Sequence, residues 1–119
     1  MVSRRTVLFI EDEPALRVSY ERFFSDRFEL LFADSGAQAL TLFGLHTPDA
    51  AVRDLRLPDT DGIELLKRTD QTRPHLPVII ATAYSSIEPQ LEVLDLQHAG
   101  YLVKPFELDT LRDLIDAGV

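Results

Sequence analysis

Five polar residues stand at the ends of short apolar runs in this chain of 119 residues. Glu11 and Asp12 follow the run Thr6-Val7-Leu8-Phe9-Ile10, and Asp54 follows Ala50-Ala51-Val52-Arg53. Thr82 ends Val78-Ile79-Ile80-Ala81, and Lys104 follows Tyr101-Leu102-Val103. Three carboxylates, one hydroxyl and one ammonium can together hold a hard divalent cation and a phosphoryl group. Carboxylate oxygens suit Mg2+, which keeps several of its waters. The ion offsets the repulsion between the carboxylates and incoming phosphoryl oxygens. Lys104 adds a second positive charge, and Thr82 adds a hydrogen-bond donor.

These residues meet only if the elements that carry them lie side by side. Each apolar run is short and unbroken, the pattern of a strand buried on both faces. A further strand is predicted over Phe28–Phe32. Between the runs, apolar residues recur at helical spacing. Leu16, Tyr20, Phe23 and Phe24 predict a first helix over 14–25, with Pro14 in its first turn. Asp34 or Ser35 caps a second helix holding Ala37, Leu40 and Phe43 and ending at Gly44. Ile63, Leu65 and Leu66 mark a third, Ile87, Leu91 and Leu94 a fourth, and Leu108, Leu111 and Ile115 a fifth. Five strands alternating with helices predict a doubly wound parallel sheet covered on both faces. The order 2-1-3-4-5 suits five strands, and it brings the ends of strands 1, 3, 4 and 5 together at the switch point.

Composition narrows the function classes. The length matches one domain, here read as 1–119, since domains run about 100–150 residues. Hydrophobic residues are 45% and charged residues 27%, enough apolar content for a real core. There is no cysteine, so disulfide and thiolate chemistry are excluded. The net charge of −8 disfavours direct contact with nucleic acid or an anionic membrane. No apolar run approaches a membrane span, and a cytoplasmic location is expected.

Four pieces of the chain resemble the receiver domain of two-component response regulators. They are Ile10-Glu11-Asp12-Glu13-Pro14, then Asp54-Leu55-Arg56-Leu57-Pro58 with Gly62, then Pro77-Val78-Ile79-Ile80-Ala81-Thr82-Ala83, and then Tyr101-Leu102-Val103-Lys104-Pro105-Phe106. They stand in the family's order and cover nearly the whole chain. The resemblance implies the flavodoxin-like receiver fold. It also implies phosphoryl transfer from a histidine kinase or phosphotransfer protein to Asp54. Asp12, Asp54 and the backbone carbonyl of Arg56 would hold Mg2+, with Glu11 acting through a water. Thr82 and Lys104 would bind the phosphoryl oxygens. Thr82 and Tyr101 would form the switch, which remodels a face of the fourth helix, fifth strand and fifth helix for an output partner, an output domain or a second copy. Such a domain is a phosphoacceptor with weak self-catalysed transfer and dephosphorylation, not an enzyme in the usual sense. Arg56 and Tyr84 would flank the phosphoryl group and slow its hydrolysis.

Each residue also has a plainer role open to it. Acids before a helix favour its dipole, Thr82 can cap a helix, and Tyr101 can be a core aromatic. Arg53 stands where the family usually has an apolar or small residue. Its stem is expected to pack while its head reaches solvent; the alternative is pairing with a nearby carboxylate, which would weaken metal binding. That alternative supports a rival reading, a pseudo-receiver module that signals without phosphate. An aspartate-nucleophile phosphatase needs two Asp after the first strand, where this chain has Glu11 and Glu13. A flavodoxin needs a phosphate loop rich in Ser, Thr and Gly, which is missing there.

Overall fold

The structure is a computed structural model that describes residues 4–54, 75–83 and 99–118. In chain order these form β1 (Thr6–Ile10), α1 (Pro14–Phe24), β2 (Glu29–Ala33), α2 (Gly36–Leu45) and β3 (Ala50–Arg53). They continue with β4 (Val78–Thr82), β5 (Gly100–Val103) and α3 (Leu108–Gly118), the last of the five predicted helices. The predicted third and fourth helices lie outside the described residues, as do Arg56 and Tyr84. All five strands pair in parallel in the order β2-β1-β3-β4-β5.

The strands explain their own composition. Nearly every residue of the three central strands β1, β3 and β4 is buried, while the edge strands β2 and β5 are mostly half-buried. A strand covered on both faces has no use for alternation, hence the unbroken apolar runs. Two cores result, one on each face of the sheet. One holds Leu8, Ile10, Ala51 and Ile80 with Ala39 and Phe43 of α2. The other holds Val7, Phe9, Val52 and Ile79 with Tyr20 and Phe24 of α1 and Leu111 and Ile115 of α3. Phe9 anchors the second core, with ring centroids 4.6 Å from Tyr20, 5.6 Å from Phe24 and 5.6 Å from Phe32. Each such pair adds about 0.5–1.5 kcal/mol beyond its area burial.

Two local boundaries differ from expectation, and a third is resolved between two alternatives. The second strand begins at Glu29, because Phe28 belongs to the preceding turn. Its N–H donates to Phe24 O at 3.0 Å, and the sheet ladder starts with Glu29 N donating to Arg5 O at 2.8 Å. The second helix runs through Gly44 to Leu45. His46 in an extended conformation ends it and donates its N–H to Leu42 O, so the left-handed cap that favours glycine is not used. Ser35, not Asp34, caps the other end by accepting from Gln38 N.

Candidate functional site

The parallel ladder continues one residue beyond three strands and so sets the functional residues at one edge. Glu11 N donates to Ala33 O at 2.8 Å, Asp54 N to Ile10 O at 3.1 Å and Lys104 N to Thr82 O at 2.8 Å. β1 lies between β2 and β3, so the chain winds outward on both sides of it, and the crevice opens at its carboxyl end. Glu11 and Asp54 flank that crevice.

Lys104 closes the group. Its Nζ donates to Glu11 Oε1 at 2.6 Å and to Asp54 Oδ2 at 2.8 Å, and more loosely to Glu13 Oε2 at 3.4 Å. Glu11 is 2% exposed and Asp54 8%. Burial pushes the Glu11 carboxyl above its ordinary value, and the bond from Lys104 only partly counters that. For Lys104, burial pulls the ammonium down, but its bonds to Asp54 and Glu11 outweigh this and hold it above the ordinary lysine range. The Lys104–Pro105 peptide is cis.

Asp12 is exposed beside this pair. Carboxylate oxygens of Glu11, Asp12 and Asp54 all lie within 4.8 Å of one another. A set of hard oxygens at that spacing fits Mg2+, which binds through one or two carboxylates and keeps its remaining waters. Asp12, Asp54 and Lys104 line the floor of a cleft of about 930 Å³ whose apolar wall includes Leu16, Phe106 and Leu108.

Thr82 and Tyr101 share one face of the sheet. Tyr101 pairs in register with Ile80, and Thr82 is two residues further along β4. Thr82 is fully buried, while Tyr101 is half-buried and packs against the α2-side core.

Arg53 departs from expectation. Its head does not reach solvent: the residue is 1% exposed. The register sets it between Ile10 and Ile80, both in the α2-side core. Side chains alternate along a strand, so Arg53 and Asp54 leave β3 on opposite faces. A strand covered by helices on both faces leaves even a long side chain no path to water.

Two contributors escape sequence reasoning. Glu13 is the N-cap residue of α1, but its side chain makes no capping bond and reaches Lys104 instead. Tyr20 is 1% exposed, and its hydroxyl has no hydrogen-bond partner among the described residues. The one signal for Tyr20 was a phenol on the apolar face of a helix, where a phenylalanine packs equally well.

A sequence model of the family described as response regulator receiver domain matches residues 7–116. The regulatory protein AtoC of Escherichia coli (strain K12) is 34% identical over 97% of this chain and 25% of its own length. The sporulation initiation phosphotransferase F of Bacillus subtilis (strain 168) is 31% identical over 92% of this chain and 89% of its own. Among solved structures, the response regulator protein TrrA from Thermotoga maritima, in complex with Mg2+–BeF, superposes with a TM-score of 0.84. It is 25% identical and covers 97% of this chain and 99% of its own. The chain thus spans about a quarter of the length of AtoC and of the transcriptional regulator NtrC.

Proposed function

The chain belongs to the response regulator receiver domain family, and on that premise we propose that it is a phosphorylation-controlled signalling switch with Asp54 as phosphoacceptor. The observation that carries this is the placement of Asp54. Its carboxylate is bonded to Lys104, lies beside Glu11 and Asp12, and faces an open cleft. A histidine kinase or phosphotransfer protein would present a phosphohistidine there, using the apolar wall of the cleft to dock.

An Asp54 oxygen attacks the phosphorus, the phosphorus–nitrogen bond breaks, and the imidazole leaves with the electron pair. This is positioning and charge stabilisation more than covalent chemistry. Lys104 turns its ammonium from Glu11 to the phosphoryl oxygens, and the Thr82 hydroxyl donates to another of them. Asp12, Asp54 and, as the family resemblance implies, the backbone carbonyl of Arg56 would hold Mg2+, with Glu11 acting through a water; bound there, the ion would supply positive charge that offsets crowding of anionic oxygens. Movement of Thr82 toward the phosphoryl group opens space for Tyr101, which remodels the face that includes β5 and α3 for an output partner, an output domain or a second copy. Bulky side chains at Arg56 and Tyr84 lengthen the phosphorylated state. The domain acts in the cytoplasm, without direct contact with nucleic acid or membrane.

The test is mass spectrometry after incubation with acetyl phosphate and Mg2+. The parent should gain one phosphoryl group, and Asp54→Asn, which keeps the shape but loses the nucleophile, should gain none. Full uptake by Asp54→Asn refutes the assignment. No uptake by the parent favours the module that signals without phosphate.

A further inference from the structure

Tyr20 carries a hydroxyl that the core does not need. Its ring stacks on Phe9 at 4.6 Å and packs among Phe24 and the α1-side core. A phenylalanine would make the same contacts. The hydroxyl is buried yet has no hydrogen-bond partner among the described residues, a rare condition in folded proteins that calls for a functional reason.

Its location supplies one. Tyr20 lies seven residues after Glu13, about 10 Å down the helix axis. Side chains on a helix lean back toward its amino end, so the phenol oxygen is carried up toward the site. Phe9, on which the ring stacks, is two residues before Glu11 and on the same face of the sheet. Burial raises the phenol well above its ordinary value, and the charges of Glu11, Asp54 and Glu13 raise it further, in that order. The ring is thus held against Phe9 on the Glu11 face of the sheet, within electrostatic reach of the carboxylates.

Glu11 depends on few donors. Among the described residues these are Lys104 at 2.6 Å on Oε1 and the Glu13 N–H at 3.3 Å on Oε2. When Lys104 turns to a phosphoryl group, Glu11 Oε1 loses its close donor, and of its protein donors among the described residues only the longer bond remains beside the water it would share with Mg2+. An uncompensated buried anion is costly.

We propose that Tyr20 is a positioning residue of the site: its buried hydroxyl, through one enclosed water, takes over Glu11 when Lys104 leaves it. The inference rests on the phosphoacceptor reading of the site. The hydroxyl is spare while Lys104 holds Glu11 and is engaged when the site is loaded.

Two measurements test this, with Mg2+ and beryllofluoride as probes. The first is the nuclear magnetic resonance signal of the ring carbon bearing oxygen, in the parent labelled with [13Cζ]tyrosine. The chain has three tyrosines, so the spectrum of Tyr20→Phe identifies the signal. It should stay in place with Mg2+ alone and shift when beryllofluoride is added. The second is affinity. Tyr20→Phe should bind Mg2+ like the parent but bind beryllofluoride roughly tenfold more weakly, the order of one hydrogen bond to a charged group. A residue that only packs would move neither readout in this selective way. An unmoved signal, or equal beryllofluoride affinities, in a parent that binds both probes overturns this inference alone. A parent that binds neither probe overturns the phosphoacceptor reading with it.

Discussion

Replacing Lys104 with methionine keeps a stem of similar length and removes the ammonium that sits between Glu11 at 2.6 Å and Asp54 at 2.8 Å. Two unit charges at about 4 Å interact by about 4 kcal/mol at an effective dielectric of about 20. That figure is a fair guide to the repulsion left behind, since oxygens of Glu11, Asp12 and Asp54 lie within 4.8 Å of one another. Breaking a buried ion pair costs about 3–5 kcal/mol. Lys104 is 16% exposed and the cleft admits water, so the lower end applies, about 3 kcal/mol. For a domain of this size that corresponds to a Tm lower by about 10–15 °C. Mg2+ should recover more stability in Lys104→Met than in the parent, because the ion no longer shares the carboxylates with an ammonium. At a hundredfold excess over Kd the gain is about 2.7 kcal/mol. Urea and thermal melts at pH 8, with chelator and with Mg2+, measure both effects. The loss should shrink at lower pH, because Glu11, already pushed up by burial, relieves the repulsion by taking up a proton more readily there. A variant that melts with the parent in chelator, or that gains no more from Mg2+, refutes the view of Lys104 as the built-in counterion of the site.

Stability should fall as pH rises past the ordinary values of 10.0 for tyrosine and 10.5 for lysine, because the folded chain keeps the Tyr20 and Lys104 protons after the unfolded chain has lost them. Urea melts between pH 9 and 11 should show a shallower decline for Tyr20→Phe, and an identical slope would remove Tyr20 from that account. A Cβ added at Gly100 meets Leu114 Cδ1 at 2.8 Å, so Gly100→Ala should lose about 1–3 kcal/mol by overpacking. Adding Leu114→Ala should cost less in that background than in the parent, and strict additivity in urea melts would show that the clash is relieved elsewhere. Arg53→Met keeps the buried stem and should be more stable than Arg53→Ala by about 1–3 kcal/mol in the same assay; equal losses would mean that the stem does not pack.

Much of the fold was legible because a parallel sheet leaves a direct trace. Val7-Leu8-Phe9-Ile10 and Val78-Ile79-Ile80-Ala81 are apolar without alternation, as strands covered on both faces must be. Leu111 and Ile115 recur at helical spacing and are both fully buried. The candidate site was legible for the same reason: Glu11, Asp54, Thr82 and Lys104 each stand at or just after the end of such a run, and a parallel sheet aligns those ends. Boundaries were less so, because the start of β2 at Glu29 and the passage of α2 through Gly44 turn on single hydrogen bonds, from Glu29 N to Arg5 O and from His46 N to Leu42 O. Composition and periodicity thus determined the class of fold, the order of elements and the edge at which polar residues gather. Tertiary structure alone decided what those residues do to one another. Lys104 and Glu11 are 93 positions apart and meet at 2.6 Å, Arg53 is enclosed where its type favours solvent, and the Tyr20 hydroxyl is buried without a partner among the described residues. Burial and pairing depend on what packs across the sheet, and a residue's type and near neighbours along the chain hold no record of that.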